Sequence, residues 1–265
     1  MRSAFLVLLA AVFALGLVAC GGEGEEAATA TPSPAVHATA APASPTIAAT
    51  TTAAATEDRP EVEALLRAAA LRLEDLPSGF TLDEEKFTTN EQQAEEGSAH
   101  PGGPTLEDLN RFGRILGYEA DYSQEVSVGS LLGGTLFLQA TTVVYRDSAG
   151  ARDAFEFTRQ RASDPEFAKA FEASVAGSAG EVRDASISPM SFAEVGDDRI
   201  AFEMKFTMHN PDLNIDYQYV VQLVGIRRGR GIGSVTVLAI TSPSPIQELE
   251  DLARTTDERL KDALE

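Results

Sequence analysis

Residues 200–209 read Ile-Ala-Phe-Glu-Met-Lys-Phe-Thr-Met-His, and every second side chain in this stretch is apolar. Side chains of a β-strand point alternately to opposite faces, so this pattern predicts a strand with one face in the core and one mostly in water. Asn210-Pro211-Asp212 is a predicted turn, and residues 215–226 and 232–240 are predicted to form two further strands.

Two flanking segments extend this pattern to four strands. Residues 227–231, Arg-Arg-Gly-Arg-Gly, form the predicted turn between the last two strands. Residues 182–192 are predicted to be an edge strand, because Pro189 cannot donate a ladder hydrogen bond in a central position. Strands joined by such short turns pair antiparallel. The C-terminal third is therefore predicted to be a four-stranded antiparallel meander.

A long terminal helix is predicted to cover the apolar face of this meander. Ser244, Pro245 and Gln247 match a helix N-cap, a first-turn proline and the third position of a capping box. The fold class that follows is α+β, an antiparallel sheet packed by helices. The apolar residues of the terminal helix recur at helical spacing and are Ile246, Leu249, Leu252, Ala253, Thr256, Leu260 and Leu264.

The upstream elements follow from the same rules. Helices are predicted over residues 60–76, 105–116 and 148–161, with a short one beginning at Pro165. Strands are predicted over residues 81–88, 117–126 and 135–145. Residues 90–104 contain no apolar side chain larger than Ala, and they are predicted to be a solvent-exposed or partly disordered loop.

The net charge excludes one large class of function. The 265-residue chain has 21 basic and 41 acidic residues, a formal net charge of −20. Nucleic-acid binding requires a basic surface for phosphate contacts, so the sequence predicts no nucleic-acid partner. The single cysteine excludes an intrachain disulfide and any Cys-based metal centre. We expect no cofactor.

The first 20 residues have the layout of an export signal. Met1-Arg2-Ser3 is a short basic start, and residues 4–17 are an apolar run too short to span a bilayer but of the length of a secretory signal. The run ends in Leu17-Val18-Ala19-Cys20. This motif resembles the lipobox of bacterial lipoproteins. The resemblance implies cleavage before Cys20 and a membrane anchor through lipid on that thiol, including a fatty acyl chain such as palmitate.

The sequence divides the chain into three regions. Residues 1–19 are the predicted signal peptide, and residues 20–56 are a predicted disordered linker. In residues 27–56, 27 of 30 positions are Ala, Thr, Pro or Ser, a composition that cannot offset the entropy of ordering. Residues 57–265 are the predicted single α+β domain. The predicted location is the outer face of a cell membrane.

The element pattern of the domain also resembles a known class of extracytoplasmic domains. Residues 73–80, Leu-Glu-Asp-Leu-Pro-Ser-Gly-Phe, and residues 195–198, Val-Gly-Asp-Asp, lead into predicted strands. They look like uncharacterised lipoproteins of actinobacteria and Chloroflexi, and the layout is similar to sensor domains of mycobacterial receptor kinases. The resemblance implies a location and a fold class.

Candidate binding chemistry is sparse. Arg227, Arg228 and Arg230 form the dense basic group of the domain and are a candidate anion site, with a simple charged turn as the alternative. Acidic residues between Asp83 and Glu96 lack the ligand spacing of a calcium loop. The three histidines have no metal-binding spacing.

The sequence therefore favours binding over catalysis. We expect the anchored domain to bind a small ligand, lipid or otherwise apolar, or an envelope protein. The alternatives are a structural or assembly role in the envelope and a hydrolase using carboxylates that the sequence does not single out.

Overall fold

The computed structural model describes residues 58–98, 103–125, 134–166, 169, 182–210, 215–240 and 246–265. These residues form seven strands, five helices and one 3₁₀ turn. In chain order the elements are α1 (Arg59–Ala69), the 3₁₀ turn (Leu73–Asp75), β1 (Phe80–Thr88), α2 (Asn90–Ser98), α3 (Leu106–Arg111), β2 (Arg114–Gln124), β3 (Gly134–Tyr145), α4 (Ser148–Ala162), β4 (Val182–Pro189), β5 (Asp198–Asn210), β6 (Ile215–Arg228), β7 (Gly231–Ile240) and α5 (Ile246–Leu264).

The strands form one antiparallel sheet in the order β1-β2-β3-β7-β6-β5-β4. The predicted C-terminal meander, β4 to β7, is confirmed, and β4 lies at an edge as its proline requires. A second meander, β1 to β3, extends the sheet because β3 pairs with β7. The predicted α+β class, with helices packed on an antiparallel sheet, is therefore confirmed.

One face of the sheet, the α5 face, is covered by α1 and α5. Leu249, Leu252 and Ala253 of α5 pack on buried valines of β6 and β7 and on Ile226, together with Leu66 of α1. Burying a leucine contributes about 2 kcal/mol relative to leaving it exposed. The predicted stripe of the terminal helix is thus buried from Leu249 to Leu260, and it closes the larger apolar cluster of the protein's described residues.

The opposite face, the α4 face, is packed by α4. Ala151, Ala154, Phe155 and Thr158 of α4 are buried, as the periodicity predicts. The prediction that the terminal helix covers the apolar stripe of residues 200–208 is wrong. Ile200, for example, packs with Phe155 on the α4 face. Both faces of β6 and β7 are apolar, so helices cover the sheet on both sides.

Two predicted helices end earlier than expected. The first ends at Ala69, because Ala70 turns the backbone to an extended conformation. The second has the predicted capping box of Thr105 and Asp108, but it ends at Arg111, and Gly113 follows with φ +69°. Ile115 therefore belongs to β2, since apolar spacing does not distinguish a last helical turn from the start of a strand.

The predicted loop over residues 90–104 contains a helix. Residues 90–98 form α2, in which Thr89 and Gln92 make a reciprocal pair of cap hydrogen bonds. The capping box is a local signal for its start, but these residues have no apolar stripe. Its position depends on polar contacts that include Arg114 of β2, 24 residues from Asn90, so the composition predicted a loop instead.

Several predictions lie outside the described residues. These are the signal peptide, Cys20, the linker, the caps at 244–245 and most of the helix after Pro165. In the part of the chain that is described, no helix combines the length and apolar character needed to cross a membrane.

Candidate functional site

A polar strip crosses the α4 face over four neighbouring strands. On β2, Tyr118, Ala120 and Tyr122 point to the α5 face, so Glu119 and Asp121 point to the α4 face. Strand pairing places polar residues beside them on β1, β3 and β7. One row of the strip is Glu84, Asp121, Gln139 and Thr236, and the next row is Lys86, Glu119, Thr141 and Ser234.

Glu119 is the more buried of two carboxylates that form ion pairs with Lys86. Its carboxylate lies 3.2 Å from Lys86 Nζ, and the same ammonium lies 3.3 Å from Glu96 of α2. The Glu119 side chain is 19% exposed, whereas Glu96 is 52% exposed. Burial raises the pKa of Glu119 to about 7, and Lys86 only partly offsets this effect.

Asp121 has a weaker set of partners than Glu119. Gln139 Nε2 donates a hydrogen bond to its Oδ1 at 2.8 Å, and Glu84 is its cross-strand neighbour. Burial raises the pKa of Asp121 to about 6, and the nearby Glu84 and Asp83 charges act in the same direction. The strip therefore holds two carboxyl groups that exchange protons close to neutral pH.

Arg114 places a buried cation at the end of the strip. The residue is 5% exposed, and its Nη1 donates to the Thr88 carbonyl and to Asn90 Oδ1, both at 2.9 Å. Its Nε is buried without a hydrogen-bond partner. Burial lowers the pKa of Arg114 to about 10, so the guanidinium stays charged at neutral pH.

An apolar pocket lies on the same face, toward β4 and β5. Its cavity volume is about 10 Å³, room for roughly one water molecule. Leu223 lines this pocket and pairs with Thr236 of the polar strip, so the two features adjoin. The lining residues are Thr158, Ala162, Ile187, Ile200, Phe202, Met204 and Leu223.

The predicted anion site at the arginine-rich turn carries internal ion pairs. Arg227 contacts Asp198 through Nη2 at 2.7 Å, and Arg228 contacts both Asp257 oxygens, at 2.7 and 2.5 Å. Both guanidinium groups also contact Asp197, at 3.1 and 3.2 Å.

These pairs limit what the turn can bind. Arg227 and Arg228 are the last residues of β6, so the turn is shorter than predicted. Arg230 Nη1 donates to the Tyr145 carbonyl at 3.4 Å. Anion binding at Arg227, Arg228 and Arg230 stays a prediction, and an anion would have to displace aspartates that already occupy Arg227 and Arg228.

The other candidate groups are separate from the strip. His209 Nδ1 lies 2.7 Å from Asp216 beside a hairpin tip, whereas His37 and His100 lie outside the described residues. Among described residues, no group of three or more His, Cys, Asp or Glu side chains is arranged to hold a metal ion.

Sequence reasoning missed the polar strip. The period-two alternation of β2 does contain a signal, because Glu119 and Asp121 sit between buried apolar positions. What the sequence lacks is the pairing that places Lys86 and Gln139 beside them. Cross-strand neighbours are set by the register of the sheet, and register is a tertiary property.

Comparisons with known proteins find similarity among solved structures. No protein-family model matches the chain, and no curated protein matches it. Among solved structures, the chain is similar to the extracellular domain of PknH from Mycobacterium tuberculosis. The sequences are 10% identical, the TM-score is 0.42, and the match covers 75% of this chain and 96% of that chain.

Proposed function

We propose that this protein is a lipoprotein anchored through Cys20 on the outer side of a cell membrane, with a domain that binds a ligand on its α4 face. The observation that carries the anchor is the Leu17-Val18-Ala19-Cys20 motif, which contains the chain's single cysteine. The Ala/Thr/Pro-rich linker supports it, because a coil of that length holds a domain on the order of 30 Å from its anchor.

The α4 face supports ligand binding because it joins two kinds of surface. The polar strip offers carboxyl and amide groups, and the adjoining pocket is lined mainly by apolar side chains. An amphiphilic envelope molecule, with an apolar part and a polar head, fits this combination. The cavity is small, so side chains such as Met204 and Phe202 must move for an acyl chain of the ligand to enter.

Changing Cys20 to Ser tests the anchor. We expect the wild-type protein to incorporate an alkyne-labelled fatty acid and to sediment with membranes, because two or more acyl chains anchor a protein stably. C20S should lose the label and leave the membrane fraction. Intact mass spectrometry checks cleavage before residue 20, and Ser44→Ala in the linker is the control. A wild-type protein that retains Met1 would contradict the anchor.

A thermal-shift screen tests the ligand class. We expect the full-length protein in non-ionic detergent to gain several degrees in Tm with phosphatidylethanolamine, whose ammonium group suits the carboxyl groups of the strip, because a ligand at 100 times its Kd stabilises by about 2.7 kcal/mol. Muropeptides, Ca²⁺ and Zn²⁺ are the other probes. Ala162 lines the pocket, so Ala162→Phe fills it and should abolish the rise in Tm with lipid. Ala149 is exposed on the same helix, so Ala149→Phe should preserve that rise.

The screen also separates the alternatives. If only muropeptides raise the Tm, the ligand is a cell-wall fragment and the proposed lipid ligand is wrong. No shift with any probe would overturn ligand binding. It would favour a domain that holds another envelope protein, which crosslinking on intact cells would then detect.

A further inference from the structure

Helix α2 has no apolar anchor on the sheet. Residues 90–98 read Asn-Glu-Gln-Gln-Ala-Glu-Glu-Gly-Ser, and Ala94 is the largest apolar side chain. A surface helix normally buries an apolar stripe, and a helix of nine residues is not stable by itself in water. Its position therefore depends on polar contacts and on its C-terminal end.

The contacts of α2 lie at its two ends. At the start, Asn90 Nδ2 donates to the Arg114 carbonyl at 3.0 Å, and Arg114 Nη2 donates to Gln93 at 3.4 Å. Near the end, Glu96 lies 3.3 Å from Lys86. Gly97 is buried, and a side chain there would meet Pro104 at 2.8 Å. The backbone near the end of α2, at Gly97, is thus tightly packed against the segment that contains Pro104.

The Lys86 ammonium joins α2 to the sheet through two carboxylates. Glu119 lies behind it on β2, and Glu96 lies in front of it on α2. The other charged group that acts on Glu119 is Asp121 of β2, whose own cross-strand neighbour on β1 is Glu84. The facing residue of β3 is the uncharged Thr141. The Lys86 cation therefore acts on three carboxyl groups, Glu119, Glu96 and Asp121, when all of them are ionised.

We propose that α2 is a lid over the polar strip, closed when Glu119 is protonated and opened when Glu119 is ionised. Closure places the Glu96 charge beside Glu119 and holds Glu119 away from water, and both effects disfavour the ionised form. By linkage, ionisation of Glu119 disfavours closure. The pKa of Glu119, about 7, sets the pH range in which the lid opens and closes. Opening uncovers Lys86, Glu119 and the Asn90 side of Arg114.

Hydrogen exchange measures the lid directly. Protection factors of the α2 amides, corrected for the intrinsic exchange rate, are compared at pH 5 and pH 8 in the full-length protein. We expect protection in residues 90–98 to fall about tenfold or more at pH 8, since one pKa unit corresponds to a tenfold change. Helix α4, the internal reference, should keep its protection.

Three variants decide whether ionisation of Glu119 causes the fall in protection of α2. Glu119→Gln should keep α2 protected at pH 8, and Glu96→Gln, which alters an exposed side chain, should also reduce the change. Glu107→Gln removes an exposed carboxylate from α3 and should behave like the wild type. Equal protection of α2 at both pH values in the wild type, or an undiminished fall in Glu119→Gln, would overturn the proposal. The test needs no ligand, so it is independent of the proposed lipid binding.

Discussion

Asp121→Asn should stabilise the folded protein by about 1–2 kcal/mol at pH 8 and by about half as much at pH 5. The wild-type carboxylate is partly buried, faces Glu84 and has no cation within ion-pair distance among the described residues. An asparagine keeps the acceptor for Gln139 Nε2 and removes the charge. Urea unfolding at the two pH values, with fixed ionic strength, measures the difference.

The sign follows from the proton count of the two states. The pKa of Asp121 is about 6 in the folded protein against an ordinary 3.8, and that of Glu119 is about 7 against 4.5. Between pH 4 and pH 7 the folded state therefore holds more protons than the unfolded state. The free energy of unfolding therefore falls as pH rises. The stability that these two protonated carboxyl groups contribute is fully present only below the pKa values of the unfolded state.

Other perturbed carboxyl groups do not reverse this slope. Arg67 and Tyr118 hold the pKa of Glu85 below its usual value, and Lys205 does the same for Glu203. These groups stay ionised in both states above pH 5. The wild-type protein should therefore lose stability steadily from pH 5 to pH 8.

Asp153→Asn is the matched control, because it removes the same charge from a side chain that is 63% exposed. It should shift stability by less than about 0.5 kcal/mol at either pH. If Asp121→Asn and Asp153→Asn show the same dependence on pH, the strip is not the source of the slope.

Gly150→Ala should destabilise the protein by about 2–3 kcal/mol, although Gly-to-Ala changes inside helices normally stabilise. Gly150 lies in the first turn of α4, where its N–H donates to the Asp147 cap at 2.8 Å. A methyl group there would lie 2.0 Å from the carbonyl oxygen of Phe112. That oxygen belongs to the backbone, so α4 must move away from the segment after α3.

Chemical denaturation monitored by circular dichroism measures this loss. Arg152→Ala, at an exposed site two residues further along α4, should change the free energy of unfolding by less than about 0.5 kcal/mol. A Gly150→Ala protein as stable as the wild type would show that the close approach of Phe112 and α4 is not maintained in solution.

Short-range patterns in the sequence were sufficient for most of the strands. The alternation over residues 200–209 predicted β5, and Pro189 predicted an edge strand. The Thr105 capping box was identified from two side chains three residues apart. These features depend on neighbours within one turn or one strand, which is why they can be read from a sequence. The lipobox at Cys20 is equally local, and its function stays a prediction.

The tertiary structure alone decided the pairing of the second meander, the placement of helix α2 and the polar strip. The pairing of β3 with β7 joins strands that are about 100 residues apart in the chain. It places Gln139, which donates a hydrogen bond to Asp121, beside Thr236. Asp257 lies 29 residues from Arg228, yet it forms that arginine's bidentate ion pair. The sequence determined which segments are strands and helices, because local periodicity and caps set them. Burial and charge pairing depend on contacts between distant segments, so only the folded sheet fixed the site.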